Sequence, residues 1–300
     1  MEKTQSDITV VILTLNEENN IANCIQSALG LTHEVLVVDS LSSDFTVRIA
    51  RTLGARVVSN PFLSFDQQRN FALKDAGIRT EWTFFLDADE RLSLELIEEI
   101  KKLLSLSPAE KGFKMRRRFY WNGRWIKRGY YGSAFLRLVR TQGSWCEERS
   151  VNEHLQVEGE MGMLKADLIH QNENGIDRWH LKHLKYAELE ALEYLKAKSK
   201  NCPNESLTMK RWVHLKIWNR IPLFLRPWCY FFYRFVFRFG FLDGWQGLSF
   251  HFFQGLWFQY LISYKIKELE QKQKTINDFP ETSPQERFER KQNQNMRLQK

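Results

Sequence analysis

The sequence predicts an α/β fold: a mostly parallel sheet flanked by helices. Two observations carry this. Short β-branched runs alternate with helical patterns four times over the first hundred residues, and turn residues punctuate each change. The chain's 300 residues, 43% of them hydrophobic, can form a sizeable core.

"ITVVIL" (8–13) is a continuous apolar run, as expected of a strand buried on both faces. "TLNEENN" turns into a helix reaching Gly30, with Ile21, Cys24, Ile25, Ala28 and Leu29 at helical spacing. "EVLVVD" (34–39) is the second strand. "SSDFTVRIARTLG" supplies an N-cap serine, a helix and a stop at Gly54. "ARVVSN" is the third strand and 66–77 the third helix. "WTFFLD" (82–87) is the fourth strand, and "SLELIEEIKKLL" the fourth helix. Beyond 110 the pattern changes. "KGFKMRRRFYWNGRWIKRGYYG" is basic and aromatic, with seven Lys/Arg between 114 and 128 and no acid. "FLRLVR" is another strand, 179–198 an amphipathic helix, and 211–265 an aromatic-rich stretch.

Ligands of parallel sheets bind at the carboxyl ends of the strands. Asn16, Glu17, Asp39, Asp87 and Asp89 all fall at that edge. "FFLDADE" (84–90) there crowds three acids into four positions. On spacing alone two readings stay open: a solvated loop capping the helix near Ser93, or acids neutralised by a cation. Alternate side chains of a strand share a face, so Asp-x-Asp suits a divalent ion held on Asp89. No GxGxxG or GxxxxGK[ST] loop is present, so a glycine nest is not the main anion holder.

The net charge of +8 points to an anionic partner: nucleic acid, acidic lipid or a phosphorylated small molecule. The four cysteines are scattered without metal spacing and read as thiols of a reducing compartment. "MEKTQSDITVVIL" reads as a first strand and not a secretion signal.

"VVILTLNEENNIANCIQSAL", "VLVVDSLSSDFTVRIARTLGARV", "QQRNFAL" and "WTFFLDADERLSLEL" follow one another as in family-2 glycosyltransferases of the GT-A fold, which this chain resembles. "GRWIKRGYYGSAFLRLVR", "VNEHLQVEG" and "GFLDGWQG" are similar to the subgroup of lipopolysaccharide core β-1,4-glucosyltransferases. The resemblance spans about residues 8–265 and implies a nucleotide-diphospho-sugar transferase with a divalent cation, Mg²⁺ or Mn²⁺. By it, Thr14, Asn16, Glu17 and Asp39 line the nucleoside pocket, with Asp39 accepting from the base. Arg69 faces the base or pyrophosphate, Asp87 the ribose, and Asp89 the metal, with His170 a late metal ligand. Without the resemblance, Asp39 and Arg69 read as a helix cap and a solvated helix charge, and His170 as a structural histidine.

Inverting transfer needs a carboxylate to deprotonate the acceptor. Glu147, Glu148 and Glu153 are candidates, and Glu153 is preferred. It sits in "SVNEHL", where the subgroup carries V-H-E; Asn152 replaces that histidine, and the carboxylate stays in place. The basic stretch, Arg117 and Arg124 above all, is expected to receive a phosphorylated, lipid-linked or lipopolysaccharide glycan and not nucleic acid. The aromatic block reads either as core of a helical subdomain or as a helix lying on an anionic membrane surface. The second is preferred, with Arg226, Arg234 and Arg238 near lipid.

The expected organisation is a catalytic domain over 1–175, an aromatic-rich helical membrane-surface region over 176–265, and a flexible polar tail over 266–300. The expected place is the cytoplasmic face of the inner membrane. Two rival functions remain: a polyprenyl-phosphate sugar synthase, and a non-catalytic basic protein that binds membrane or nucleic acid.

Overall fold

A computed structural model describes residues 7–147, 155–199 and 220–278. The four expected strands are present as β1 (Ile8–Thr14), β2 (Val35–Asp39), β3 (Arg56–Ser59) and β4 (Trp82–Asp87). They pair in parallel in the order β3-β2-β1-β4, with Thr14 beside Asp39 and Leu13 beside Asp87. That register brings the ends bearing Asn16, Asp39 and Asp87 to one edge. Buried β-branched and aromatic residues fill both faces of β1 and β4.

The crossovers are α1 (Ile21–Leu29), α2 (Thr46–Thr52), α3 (Phe65–Lys74) and α4 (Leu94–Ser105). On one sheet face Ile21, Ile25, Ala50, Leu96 and Ile100 pack against Val10, Ile12 and Phe84. On the other, Ala72 and Ala76 pack against Val11, Val38 and Phe85. Two expectations are corrected. The third helix ends at Lys74, with Asp75 as C-cap. No serine caps α2: Asp44 Oδ1 accepts from Thr46 N at 3.0 Å, because Ser42 is held by Asp39.

After α4 the sheet becomes mixed. The basic segment forms β6 (Gly112–Trp121), which turns at Asn122 and Gly123, both at positive φ, into β7 (Arg124–Trp125). Asn-Gly suits this tight hairpin because both residues tolerate left-handed backbone. The "FLRLVR" strand is β8 (Ala134–Arg140), wedged antiparallel between β4 and β6. Beyond β6 lies β12 (Leu168–Gln171), parallel to it, followed by β5 (Glu90–Leu92), antiparallel. A separate ribbon pairs β9 (Ser144–Cys146) with β10 (Leu155–Val157). One further strand, β11 (Met161–Met163), pairs with β6.

The C-terminal part begins with α5 (Gly175–Ser199). It continues through α6 (Arg226–Phe232), α7 (Gly244–Phe250) and α8 (Phe258–Asp278), with wider π-type turns at Tyr233–Phe237 and His251–Trp257. α8 runs through position 266, and Ile266 is buried, so the polar tail starts as packed helix. Among the described residues no helix is long and apolar enough to cross a membrane.

The helices are fastened to the β6–β7 hairpin. Trp121 Nε1 donates to Ser249 Oγ (2.8 Å), Arg128 N to Asp243 Oδ2 (2.8 Å) and Arg234 Nε to the Gly129 carbonyl (3.0 Å). Gly129 lies at φ 76°, and a Cβ there would sit 2.7 Å from the Arg234 carbonyl and the His251 ring. Arg234 is therefore not at a lipid surface, as its neighbours in sequence suggested. It is buried, with its guanidinium over the rings of Tyr130, Tyr230 and Phe250.

Candidate active site

Ser93 caps α4, its Oγ accepting from Leu96 N at 3.2 Å. The acids of 87–90 are thus spared that task, and they separate into two groups. Asp87 ends β4 and faces three arginines' worth of positive charge. Arg137 Nη2 donates to its Oδ2 at 2.7 Å, Arg69 Nη2 reaches Oδ1 at 3.3 Å, and Arg117 lies close by. Burial would raise the Asp87 pKa, but Arg137 and Arg69 outweigh it and hold the carboxyl well below the usual range. Glu90 is fully buried and shares Arg137 (2.8 Å) and Arg117 (3.2 Å). Burial raises its pKa, and Arg137 only partly opposes this.

Asp89 belongs to the second group. The expected common face for Asp87 and Asp89 is not seen, because the chain turns at Ala88 before β5 begins. Pairing of β12 with β5 then sets His170 opposite Glu90, and Gln171 N donates to the Asp89 carbonyl. His170 Nδ1 consequently lies 3.5 Å from Asp89 Oδ1, with its ring stacked on Phe119 at 4.8 Å. Burial lowers the His170 pKa to about 4 despite Asp89, so the imidazole is neutral near pH 7, as metal ligation requires. Its buried Nδ1 has no hydrogen-bond partner.

Asn172 Nδ2 donates to Asp89 Oδ2 at 3.0 Å. Glu17 Oε2 accepts from Asn20 (2.7 Å) and from Asn174 (2.9 Å). Burial raises the Glu17 pKa, the Asn20 bond lowers it, and Asp89 adds to the rise. Asp89 is itself held low: burial raises it, but His170 and Lys182 prevail.

An orphaned, neutral imidazole nitrogen beside a carboxylate fits a divalent cation. Among the described residues no three His, Cys, Asp or Glu gather to hold one. Asp89 and His170 could supply two ligands to Mg²⁺ or Mn²⁺, and an ion that keeps several waters, as Mg²⁺ does, would not need a larger protein cage.

The remaining expected residues divide. Asp39 is buried, and its oxygens accept from Thr14 Oγ1 (3.1 Å), Ser42 Oγ (2.5 Å) and Ser42 N (2.9 Å). Its side chain holds the turn that lines the edge, and Thr14 is buried beneath it. Asn16 sits at φ 55°, fixed by Ser42 and Ser43. Arg117 points into the acid group, whereas Arg124 is exposed beside Gly244, so the two do not form one face. Glu153 and Glu148 lie outside the described residues. Glu147 accepts from Gln156 at 2.9 Å.

The profile of glycosyl transferase family 2 matches residues 9–141. LpsC of Rhizobium meliloti, a lipopolysaccharide core biosynthesis glycosyltransferase, is 31% identical over 61% of this chain and 70% of its own length. The chain belongs to glycosyl transferase family 2. An uncharacterized glycosyltransferase of Rickettsia typhi is 44% identical over 33% of each chain, so the match spans about a third of that relative. Glucosyl-3-phosphoglycerate synthase of Mycobacterium tuberculosis, solved with Mn²⁺ and UDP, is 29% identical over 37% of this chain and 44% of its own, at a TM-score of 0.32.

For a family-2 chain, the residues that sequence reasoning missed are informative. Arg137, Glu90, Asn172, Asn174 and Lys182 all stand in or beside the two acid groups. Only Glu90 carried a local signal, as the third acid of "DADE".

Proposed function

We propose that this protein is an inverting, metal-dependent hexosyltransferase, moving glucose from a UDP-linked donor to a lipid-anchored glycan such as lipopolysaccharide core. The observation that carries the reading is the pairing of Asp89 with the unpartnered, neutral His170 nitrogen at the carboxyl edge of the sheet. In this reading Asp89 and His170 hold Mg²⁺ or Mn²⁺, which supplies charge neutralisation to the donor diphosphate. Glu17 and Asn16 flank the nucleoside, Asp39 and Thr14 keep its turn in shape, and Arg69 fixes Asp87 toward the ribose.

The C1–O bond to the diphosphate breaks with its electron pair left on the phosphate oxygen. The acceptor oxygen bonds C1 from the opposite face, and its proton passes to a carboxylate. Glu153 is the proposed base. Support comes from the ends of its segment: Cys146 pairs with Leu155, and Asn70, next to Arg69, bonds both the N and O of Cys146. Arg117 and Arg124 remain the proposed acceptor contacts, acting from different depths.

A membrane surface as partner is supported by the exposed apolar side chains of 224–252. Phe237 is 72% and Trp245 71% exposed, in a region that also exposes Arg238. Exposed apolar rings grouped in one region support an interaction surface. Attachment is read as peripheral, on the cytoplasmic face of the inner membrane. Mn²⁺-dependent hydrolysis of a nucleotide sugar, scored over a donor panel, tests the reading; turnover of none contradicts it.

A further inference from the structure

α5 starts against the loop that follows β1. Glu173 N donates to Asn20 Oδ1 (2.8 Å), Asn174 Nδ2 to Glu17 Oε2 (2.9 Å), and Arg178 to the Asn16 carbonyl. Lys182 stands one helical turn beyond Arg178, so the two share a face, and that face is turned to the site. Its Nζ lies 5.8 Å from the Tyr186 ring centre. Trp179 and His183 form a different face: they stack on each other at 3.5 Å and pack on Trp121 and Phe258.

The charges of the two acid groups are balanced differently. Asp87 and Glu90 share Arg69, Arg117 and Arg137. Glu17 and Asp89 are bonded by the neutral amides of Asn20, Asn174 and Asn172. Lys182 is the lysine whose charge acts on both. Lys182 is itself exposed, so its ammonium is open to a ligand.

We propose that Lys182 is a diphosphate-binding residue of the donor complex, its ammonium meeting oxygens of the terminal phosphate of the nucleotide. This rests on the hexosyltransferase reading. A lysine is a compact point charge on a flexible stem, able to leave one anion for another nearby. A ligand that neutralises Asp89 weakens the hold on Lys182 while bringing a diphosphate within its reach. When the C1–O bond breaks, that phosphate gains the electron pair, and an ammonium at its oxygens stabilises the new charge. The helix that opens the C-terminal part would thereby complete a site otherwise built by the sheet and its loops.

The test is calorimetric titration of UDP and of UMP, each in Mn²⁺, into the full chain and its variants. Lys182→Gln should weaken UDP about tenfold, the scale of one charge-assisted contact, with UMP changed less than about twofold. Lys182→Arg should recover most of the UDP affinity. UDP affinity unchanged in Lys182→Gln, or UDP and UMP weakened equally, overturns the assignment and leaves Lys182 as a clasp between α5 and the β1–α1 loop. A parent protein that binds no nucleoside diphosphate in Mn²⁺ overturns the hexosyltransferase reading and this inference together.

Discussion

His170 Nδ1 lies 3.5 Å from Asp89 Oδ1, buried and without a hydrogen-bond partner. Eighty positions of sequence separate them, and the antiparallel pairing of β5 with β12 closes the gap. His170→Ala should therefore weaken Mn²⁺-dependent UDP binding roughly 10–100-fold, the range seen when groups supporting a metal are removed. Retained Mn²⁺ affinity in this variant would make His170 a stacking partner of Phe119 and nothing more.

Arg137 is the residue on which the other acid group depends, since it holds both Asp87 and the fully buried Glu90. Arg137→Met leaves a buried carboxylate without its main partner, which costs on the order of 3–5 kcal/mol. Urea unfolding monitored by tryptophan fluorescence would read this directly. A loss below about 1 kcal/mol would mean that Arg117 and Arg69 suffice.

Much of this was legible in the sequence, and the limits have a physical cause. Parallel strands buried on both faces write continuous apolar runs, so β1, β2 and β4 and the acids at their ends could be read residue by residue. Neighbours across a sheet leave no such mark. Arg137 sits in "FLRLVR" and looks like a solvated strand charge until β8 is seen wedged against β4. Arg234, in "YRFVFRFGF", looks like a lipid-facing cation, because periodicity cannot reveal that Gly129 approaches closely enough to bury it. The aromatic block likewise split where the sequence treated it as one. Phe253 and Trp257 pack on Trp179, whereas Phe237 and Trp245 face outward.

That split sets a test of the surface. Phe237→Ser with Trp245→Ser should lower partition onto anionic phosphatidylglycerol vesicles by about tenfold or more, since the two rings removed each forfeit up to roughly 1.5–3 kcal/mol of burial. The melting temperature should hold. Trp257→Ser should instead lower the melting temperature through the lost Trp179 contact. Unchanged vesicle binding in the double variant would assign the exposed rings to a protein partner.

His251 provides a pH signature away from the acids. It is fully buried, and burial with the Arg234 charge lowers its pKa from 6.5 to about 4. The unfolded chain therefore binds the extra proton between those values. The stability from a neutral His251 is present above pH 6.5 and is lost as pH falls toward about 4. His251→Leu removes this term, so its stability should fall less steeply over that window, by on the order of 1 kcal/mol per pH unit. His170 and His183, lowered to about 4 by burial, keep part of the slope in both proteins. Identical slopes would contradict the assignment of His251 as buried neutral.

The most direct test of the central claim is release of UDP from UDP-glucose in Mn²⁺, compared between the parent chain and Asp89→Asn. The claim predicts turnover by the parent that chelator abolishes and a folded Asp89→Asn protein slower by about a hundredfold or more, as expected when charge stabilisation at a leaving group is lost. Parent turnover that persists in chelator, or an Asp89→Asn protein as fast as the parent, would contradict it.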